Sequence, residues 1–237
     1  MKSSKNKLVK ETYEKALQAD FTKLSGDDAD IANFAQMEHF YSKYQETEAY
    51  LDMWQSGGGL SENVFVRGAI NELKGEADEK INAEAGFFLY QKEVMPYKFF
   101  KAYKEGRENS IGLIPYIVKT QQHLREKYPE GYVTIYRGIR NKDLAYKMRM
   151  LAESLSEDDV MPMPHDGVSG YSISKVIAKN FAGSHGSREG VVFSKRVPIS
   201  DIWIDFTAFS DKFEDEGEVL VDSKAVEFFK KDEIEFN

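Results

Sequence analysis

The chain has 237 residues, 41% of them hydrophobic and 13% aromatic, with a formal net charge of -8 and no cysteine. Such a chain can fill a sizeable core, which argues against global disorder, and its acidic balance argues against coating nucleic acid or an anionic membrane through bulk charge. The absence of cysteine excludes disulfides, thiolate chemistry, zinc fingers and iron–sulfur clusters.

No apolar run approaches the roughly 20 residues of a membrane helix. The basic start, Met1 to Lys7, is not followed by the apolar stretch of a secretory signal. The expectation is no membrane association, and a place either in the cytoplasm of the producer or in a target cell reached without a signal peptide.

In chain order, the first half reads as helical. Residues 8–20 are amphipathic, with Leu8, Tyr13 and Leu17 on one side, and Ser25 to Asp28 reads as a helix start. Ile31, Phe34, Met37, Phe40, Tyr41, Tyr44 and Leu51 recur at helical spacing. Gly57 to Gly59 breaks the pattern, Ser61 is placed to cap the next helix, and two more helical stretches follow near 84–104 and 110–127. Pro96 and Pro115 are expected to kink these or to lie in their first turns.

The pattern changes at Pro129-Glu130-Gly131. Tyr132, Val133, Ile135 and Tyr136 form a β-rich run, residues 141–155 are helical, and a loop with Pro162, Pro164 and Gly167 leads to Gly170. Lys175–Phe181 reads as a short helix. Val191–Val197, Ile202–Phe206, Glu218–Val221, Val226–Phe229 and Ile234–Phe236 read as strands. The economical reading is one α+β domain over 1–237, with a helical layer over 1–128 and a β-rich core over 129–237. Two domains divided near 128 are the alternative.

Three short pieces of the second half carry the chemical information. Arg137 ends an apolar strand and precedes Gly138, so its guanidinium can bind phosphate through two parallel hydrogen bonds while the glycine admits a ligand close to the backbone. Taken alone, it reads first as an exposed or salt-bridged arginine. Ser172 and Ser174 alternate with Tyr171 and Ile173, which on a strand puts both hydroxyls on one side, suited to a ribose or to orienting a carboxylate, or else simply facing solvent. Glu216 and Glu218 likewise share a face if Glu216-Gly217-Glu218 is extended. Two such carboxylates repel unless used, for instance to stabilise a positive sugar centre or to orient a nucleophile. Asp211, Glu214, Asp215 and Asp222 make general acidity a competing explanation, strongest for Glu216.

In this order, Arg137, then Ser172-Ile173-Ser174, then Glu216-Gly217-Glu218, residues 130–237 resemble the R-S-E group of mono-ADP-ribosyltransferases, which includes toxin-type, phage-type and vertebrate arginine-directed enzymes. Ala178 and Phe181 in the helix after the serines fit as well. Ile173 departs from the usual middle threonine. The resemblance implies a split β-sandwich around an NAD cleft, with helices alongside. It implies NAD as substrate and no metal. Arg137 would bind the NAD phosphates and the backbone at Gly138 the nicotinamide amide. Ser172 would hold the ribose end and position Glu218, with Ser174 beside it, and Phe181 would stack near the nicotinamide. Glu218 would bind the ribose 2′-hydroxyl and stabilise the oxocarbenium as nicotinamide leaves, and Glu216 would face the acceptor.

In the same frame Gly183–Gly190 reads as a loop over the ligand with Arg188 as a second phosphate contact, or as a plain surface turn. Asp205–Asp215, with Phe206, Phe209 and Phe213, reads either as a loop that recognises a macromolecule or as packing. The expected partner is a macromolecular acceptor, protein favoured over RNA or DNA. A neutralising antitoxin or immunity protein is expected if the enzyme acts inside its producer. NAD glycohydrolysis and a non-catalytic interaction module are the other readings of this scaffold. His39, His123, His165 and His185 lack metal-ligand spacing, and nucleophile-elbow, phosphate-loop and dinucleotide-fold motifs are absent.

Overall fold

A computed structural model of the chain describes residues 46–52, 60–75, 97–140, 142–154, 156, 159–162, 168–183, 190–209 and 217–236. The expectations on 8–20, Ser25 to Asp28, the aromatic run to Tyr44, Gly57 to Gly59 and residues 84–96 lie outside them. The described residues form helices and antiparallel sheets, an α+β chain. It divides into two compact units, Met1–Lys119 and Thr120–Asn237.

The first unit is helical where described. Residues 46–52 (α1), Leu60–Leu73 (α2) and Tyr97–Glu108 (α3) lie wholly within it, and Ser110–Lys127 (α4) begins in it. Ser61 is the second residue of α2. Pro115 sits inside α4, one turn past its start, where its missing N–H removes a single helical hydrogen bond. Helices α2 and α3 meet backbone to backbone. A Cβ on Gly68 would come 2.2 Å from the Tyr103 carbonyl oxygen, and one on Gly106 would come 2.0 Å from that of Phe65. Around this contact Phe65 stacks on Tyr50 at 3.7 Å, Asn71 donates to the Tyr103 hydroxyl, and Arg107 pairs with Glu72.

The second unit holds eight strands among the described residues: Tyr132–Ile139 (β1), Val160–Pro162 (β2), Val168–Ser172 (β3), Val191–Pro198 (β4), Ile202–Asp205 (β5), Glu218–Asp222 (β6), Phe228–Lys230 (β7) and Ile234–Phe236 (β8). Strand β2 was not expected; Pro162 ends it and reads from sequence as loop. Helices Lys142–Ser154 (α5) and Lys175–Gly183 (α6) complete the unit. Six strands form one antiparallel sheet in the order β5-β6-β3-β1-β4-β8, and β2 pairs with β7.

Alternation decides the faces of this sheet. Val133, Ile135, Tyr171, Phe193, Val197, Val219 and Val221 point to one side and form the main core with Leu124, Met148 and Phe229. The other side carries Tyr136 and Val192, covered by Ala178 and Ala182 of α6. Helix α6 is also held by Glu235 of β8, which bridges Lys175 at 2.8 Å and Lys179 at 2.5 Å. Gly131 precedes β1 with φ 79° and its carbonyl accepts from the Ile199 backbone N–H. Gln121 donates to the carbonyls of Ile199 and Ile202, fixing the turn between β4 and β5.

Candidate functional site

β1, β3 and β6 lie side by side, and their registers bring two of the three expected side chains together. Ser172 is the Cα partner of Tyr136 on one side and of Glu218 on the other. Directly opposed residues share a face, so Glu218, Ser172 and Tyr136 form a row on the face covered by α6. Ser172 is buried, at 7% exposure, and Glu218 half-buried. The Ser172 hydroxyl accepts from the Ser174 backbone N–H at 3.0 Å. The Glu218 carboxylate lies over Gly170, the diagonal neighbour on β3.

Arg137 stands one residue beyond Tyr136, and alternation turns it to the opposite face. Its Cα partner is Phe193 of the main core, and its guanidinium lies 5.6 Å over the Tyr171 ring. The three side chains therefore do not form one row. The sheet, however, is divided at this place. Among the described residues β1 and β3 share the single pair Tyr136↔Ser172, whereas β1 and β4 pair along eight residues and β3 and β6 along five. From that pair towards Ile139 on β1 and Val168 on β3, no further residues of the two strands pair among the described residues. Arg137 borders this parting from β1; Tyr171 and the carboxylate over Gly170 border it from β3.

Comparison of the chain with protein-family models, with curated proteins and with solved structures returns no match.

The remaining expected site residues fall as follows. Ser174 is not on a strand: β3 stops at Ser172, and the Ser174 hydroxyl accepts from the Ile177 N–H at 3.4 Å, capping α6. The expected row of two hydroxyls fails because serine satisfies an orphan helix donor better than it extends a strand. Gly138 faces α6, and the space a Cβ would take is filled by the Ala178 carbonyl. Phe181 is on α6 and 57% exposed, beside the buried Ala178 and Ala182. Arg188 and Glu216 lie outside the described residues. Gly217, the middle of the carboxylate motif, has φ 53°, and its carbonyl accepts from the Ile173 N–H at 2.8 Å. A left-handed residue breaks the two-residue alternation, so the shared face expected for Glu216 and Glu218 does not follow.

Sequence reasoning missed a polar cluster at the end of β5. Asp205 is fully buried, and one carboxylate oxygen accepts from the Thr207 N–H at 3.0 Å and its hydroxyl at 2.7 Å. The Asp205 N–H donates to Thr120, and His123 Nε2 stands 3.7 Å from the other oxygen. Burial, with Asp205 and Glu130 adding, pushes the Tyr128 hydroxyl up. The cluster caps the short turn Phe206–Ala208. Phe206 in that turn is buried, so it packs rather than recognising a partner, and Phe213 lies outside the described residues.

Hydrogen bonds from Lys175 and Lys179 hold the Glu235 carboxyl below its usual range. A depressed carboxyl stabilises the fold above its unfolded value and loses that contribution as pH falls through its folded value. For this exposed cluster the contribution is below about 1 kcal/mol. Glu235→Gln is expected to be slightly less stable than the parent at pH 7, with the difference shrinking as pH falls below the usual carboxylate range. Denaturant titrations across that range test this, and a gap that widens on acidification would contradict it.

Among the described residues no helix is long and apolar enough to cross a membrane, and no group of three His, Asp or Glu side chains is placed to hold a metal.

Proposed function

We propose that the chain is an NAD-dependent mono-ADP-ribosyltransferase, which cleaves NAD with release of nicotinamide and passes ADP-ribose to a macromolecular acceptor, protein arginine favoured. The observation that carries this reading is the direct pairing of Ser172 with Glu218 across β3 and β6, next to the strand that bears Arg137. A carboxylate carried by the direct strand partner of a buried serine is pre-set to meet a developing positive charge, and needs no reorganisation when that charge forms.

The divided sheet supports the reading further. A dinucleotide lying across the parting of β1 and β3 meets the Arg137 guanidinium from one face and Glu218 from the other, so opposite faces are no obstacle. Arg137 suits the phosphates through its planar fork of donors. Exposed Phe181 on α6 offers a ring for the nicotinamide. Gly138 is needed for the seating of α6, and any backbone contact to the ligand comes in addition. The ADP-ribosyltransferase core with its split β-sandwich belongs to the same reading. No metal takes part in it, because the electrostatic work falls on Glu218.

Labelled NAD tests this. Incubation with lysate is expected to leave label on macromolecules that protease removes and nuclease does not. Label removed by nuclease would move the acceptor to RNA or DNA. Free ADP-ribose alone would make the chain a glycohydrolase, and no nicotinamide release with acceptors present would leave an interaction module. An enzyme of this kind acting inside its producer calls for a neutralising antitoxin or immunity partner.

Glu216 supplies a finer prediction. On the acceptor side of the site, Glu216→Ala is expected to reduce transfer roughly tenfold more than glycohydrolysis. Equal losses in the two rates would remove Glu216 from that role.

A further inference from the structure

Glycine inside a strand needs a reason, since it lacks a side chain to pack and loses more chain entropy on folding than other residues. Four glycines around the site have visible reasons, and they differ. Gly138 and Gly190 lie against the backbone of α6, where a Cβ would come 1.8 Å from the Ala178 carbonyl oxygen and 2.0 Å from that of Ala182. Gly217 has a positive φ. Gly170, the third residue of β3, has no positive φ and, among the described residues, no backbone neighbour in the way. Among the described residues, a Cβ at Gly170 would meet two atoms within 4 Å, both of one carboxyl group: Oε1 of Glu218 at 2.7 Å and its Cδ at 3.7 Å.

We infer that Gly170 is a positioning residue for Glu218: the place of its absent side chain is where the Glu218 carboxylate lies. Registers explain the arrangement. Glu218 opposes Ser172, and Gly170 follows on the same face of β3, so the glutamate side chain leaves β6 beside one and lies back over the other. Ser172 is the cross-strand partner of Glu218; Gly170 sets how close to β3 the carboxylate lies. An alanine would demand a shift of several tenths of an ångström, and only the end of a flexible side chain would move. The backbone would stay in place. The catalytic consequence rests on the transfer reading above; the geometric one does not.

Gly170→Ala is therefore expected to fold like the parent and to release nicotinamide at least about tenfold more slowly, chiefly in kcat, because sub-ångström displacement of a reacting group is costly. Gly170→Val is expected to lose more. In a Glu218→Ala background, Gly170→Ala should change the residual rate less than twofold. A second readout needs no activity. Alanine replaces a strand glycine, so in the Glu218→Ala background it should raise the denaturation midpoint. In the parent it should raise it less, or lower it, because the carboxylate is displaced.

Equal midpoint shifts in both backgrounds would overturn the inference, as would a Gly170→Ala protein that cannot fold. Unequal shifts in a chain that releases no nicotinamide would keep the positioning role and remove the transfer reading. Full turnover in Gly170→Ala together with loss in Glu218→Gln would do the reverse.

Discussion

Glu218→Gln is expected to keep the fold and NAD binding while lowering nicotinamide release by a factor on the order of a hundred or more. The substitution preserves shape and removes the charge. A unit positive charge within about 4 Å of a carboxylate gains about 4 kcal/mol at an effective dielectric near 20. Spent wholly on the transition state, that is close to a thousandfold in rate. A glutamine amide recovers part of it through its dipole, which places the expectation between these values. Glu218 is half-buried at the head of β6 with its strand neighbours in place on β3, so an amide fits where the carboxylate does. Rate and binding are measured separately, by nicotinamide release at saturating NAD and by calorimetric titration. Turnover within a fewfold of the parent would sink the mechanism, whatever the binding result. Loss of binding with loss of turnover would make Glu218 a ground-state contact instead.

The position of Glu218 is not written locally in the sequence. The run Val219-Leu220-Val221 announces a buried strand, and Tyr132 to Tyr136 announces another by alternation. Such patterns are legible because each residue's burial follows from its own side chain. What brings Ser172 opposite Glu218 is register between strands more than forty residues apart, and no local pattern encodes that. The misreadings have local causes too. Ser172-Ile173-Ser174 looks like alternation, yet Ser174 is followed by a helix whose first-turn N–H groups lack an acceptor, and capping wins. Glu216-Gly217-Glu218 looks extended, yet its glycine takes the left-handed form that only glycine adopts freely. Asp205 escaped notice because a buried carboxylate and an exposed one have the same letter. Gly170 carried a usable signal, an isolated glycine inside a strand pattern, which marks close approach of something.

Gly138 carries the same letter and the opposite consequence. Gly138→Ala is expected to destabilise the fold by roughly 3 kcal/mol or more, at the upper end of what overpacking costs. The new methyl group would stand 1.8 Å from the Ala178 carbonyl oxygen, 2.8 Å from its carbon and 2.9 Å from the Ala182 nitrogen, all backbone atoms of α6. No side chain can rotate away to relieve this, so the helix must lift from β1. Lifting opens the contact of Ala178 and Ala182 with Tyr136 and Val192 and pulls at Ser174, two residues from Ser172. Activity should fall with loss of the folded state in this variant, unlike Gly170→Ala, where it should fall in a protein that folds like the parent. Gly190→Ala presses on the same helix, at the Ala182 carbonyl. Once α6 has lifted for one methyl group, the second finds part of its space already open. The double variant should therefore be more stable than the sum of the two losses implies, by 1 kcal/mol or more, about the coupling seen for residues that share a backbone shift. Denaturant unfolding of the two single variants and the double variant measures this. Strict additivity would mean that the two glycines seat α6 independently, and a loss below about 1 kcal/mol for Gly138→Ala would mean that the helix does not rest on β1 as closely as described.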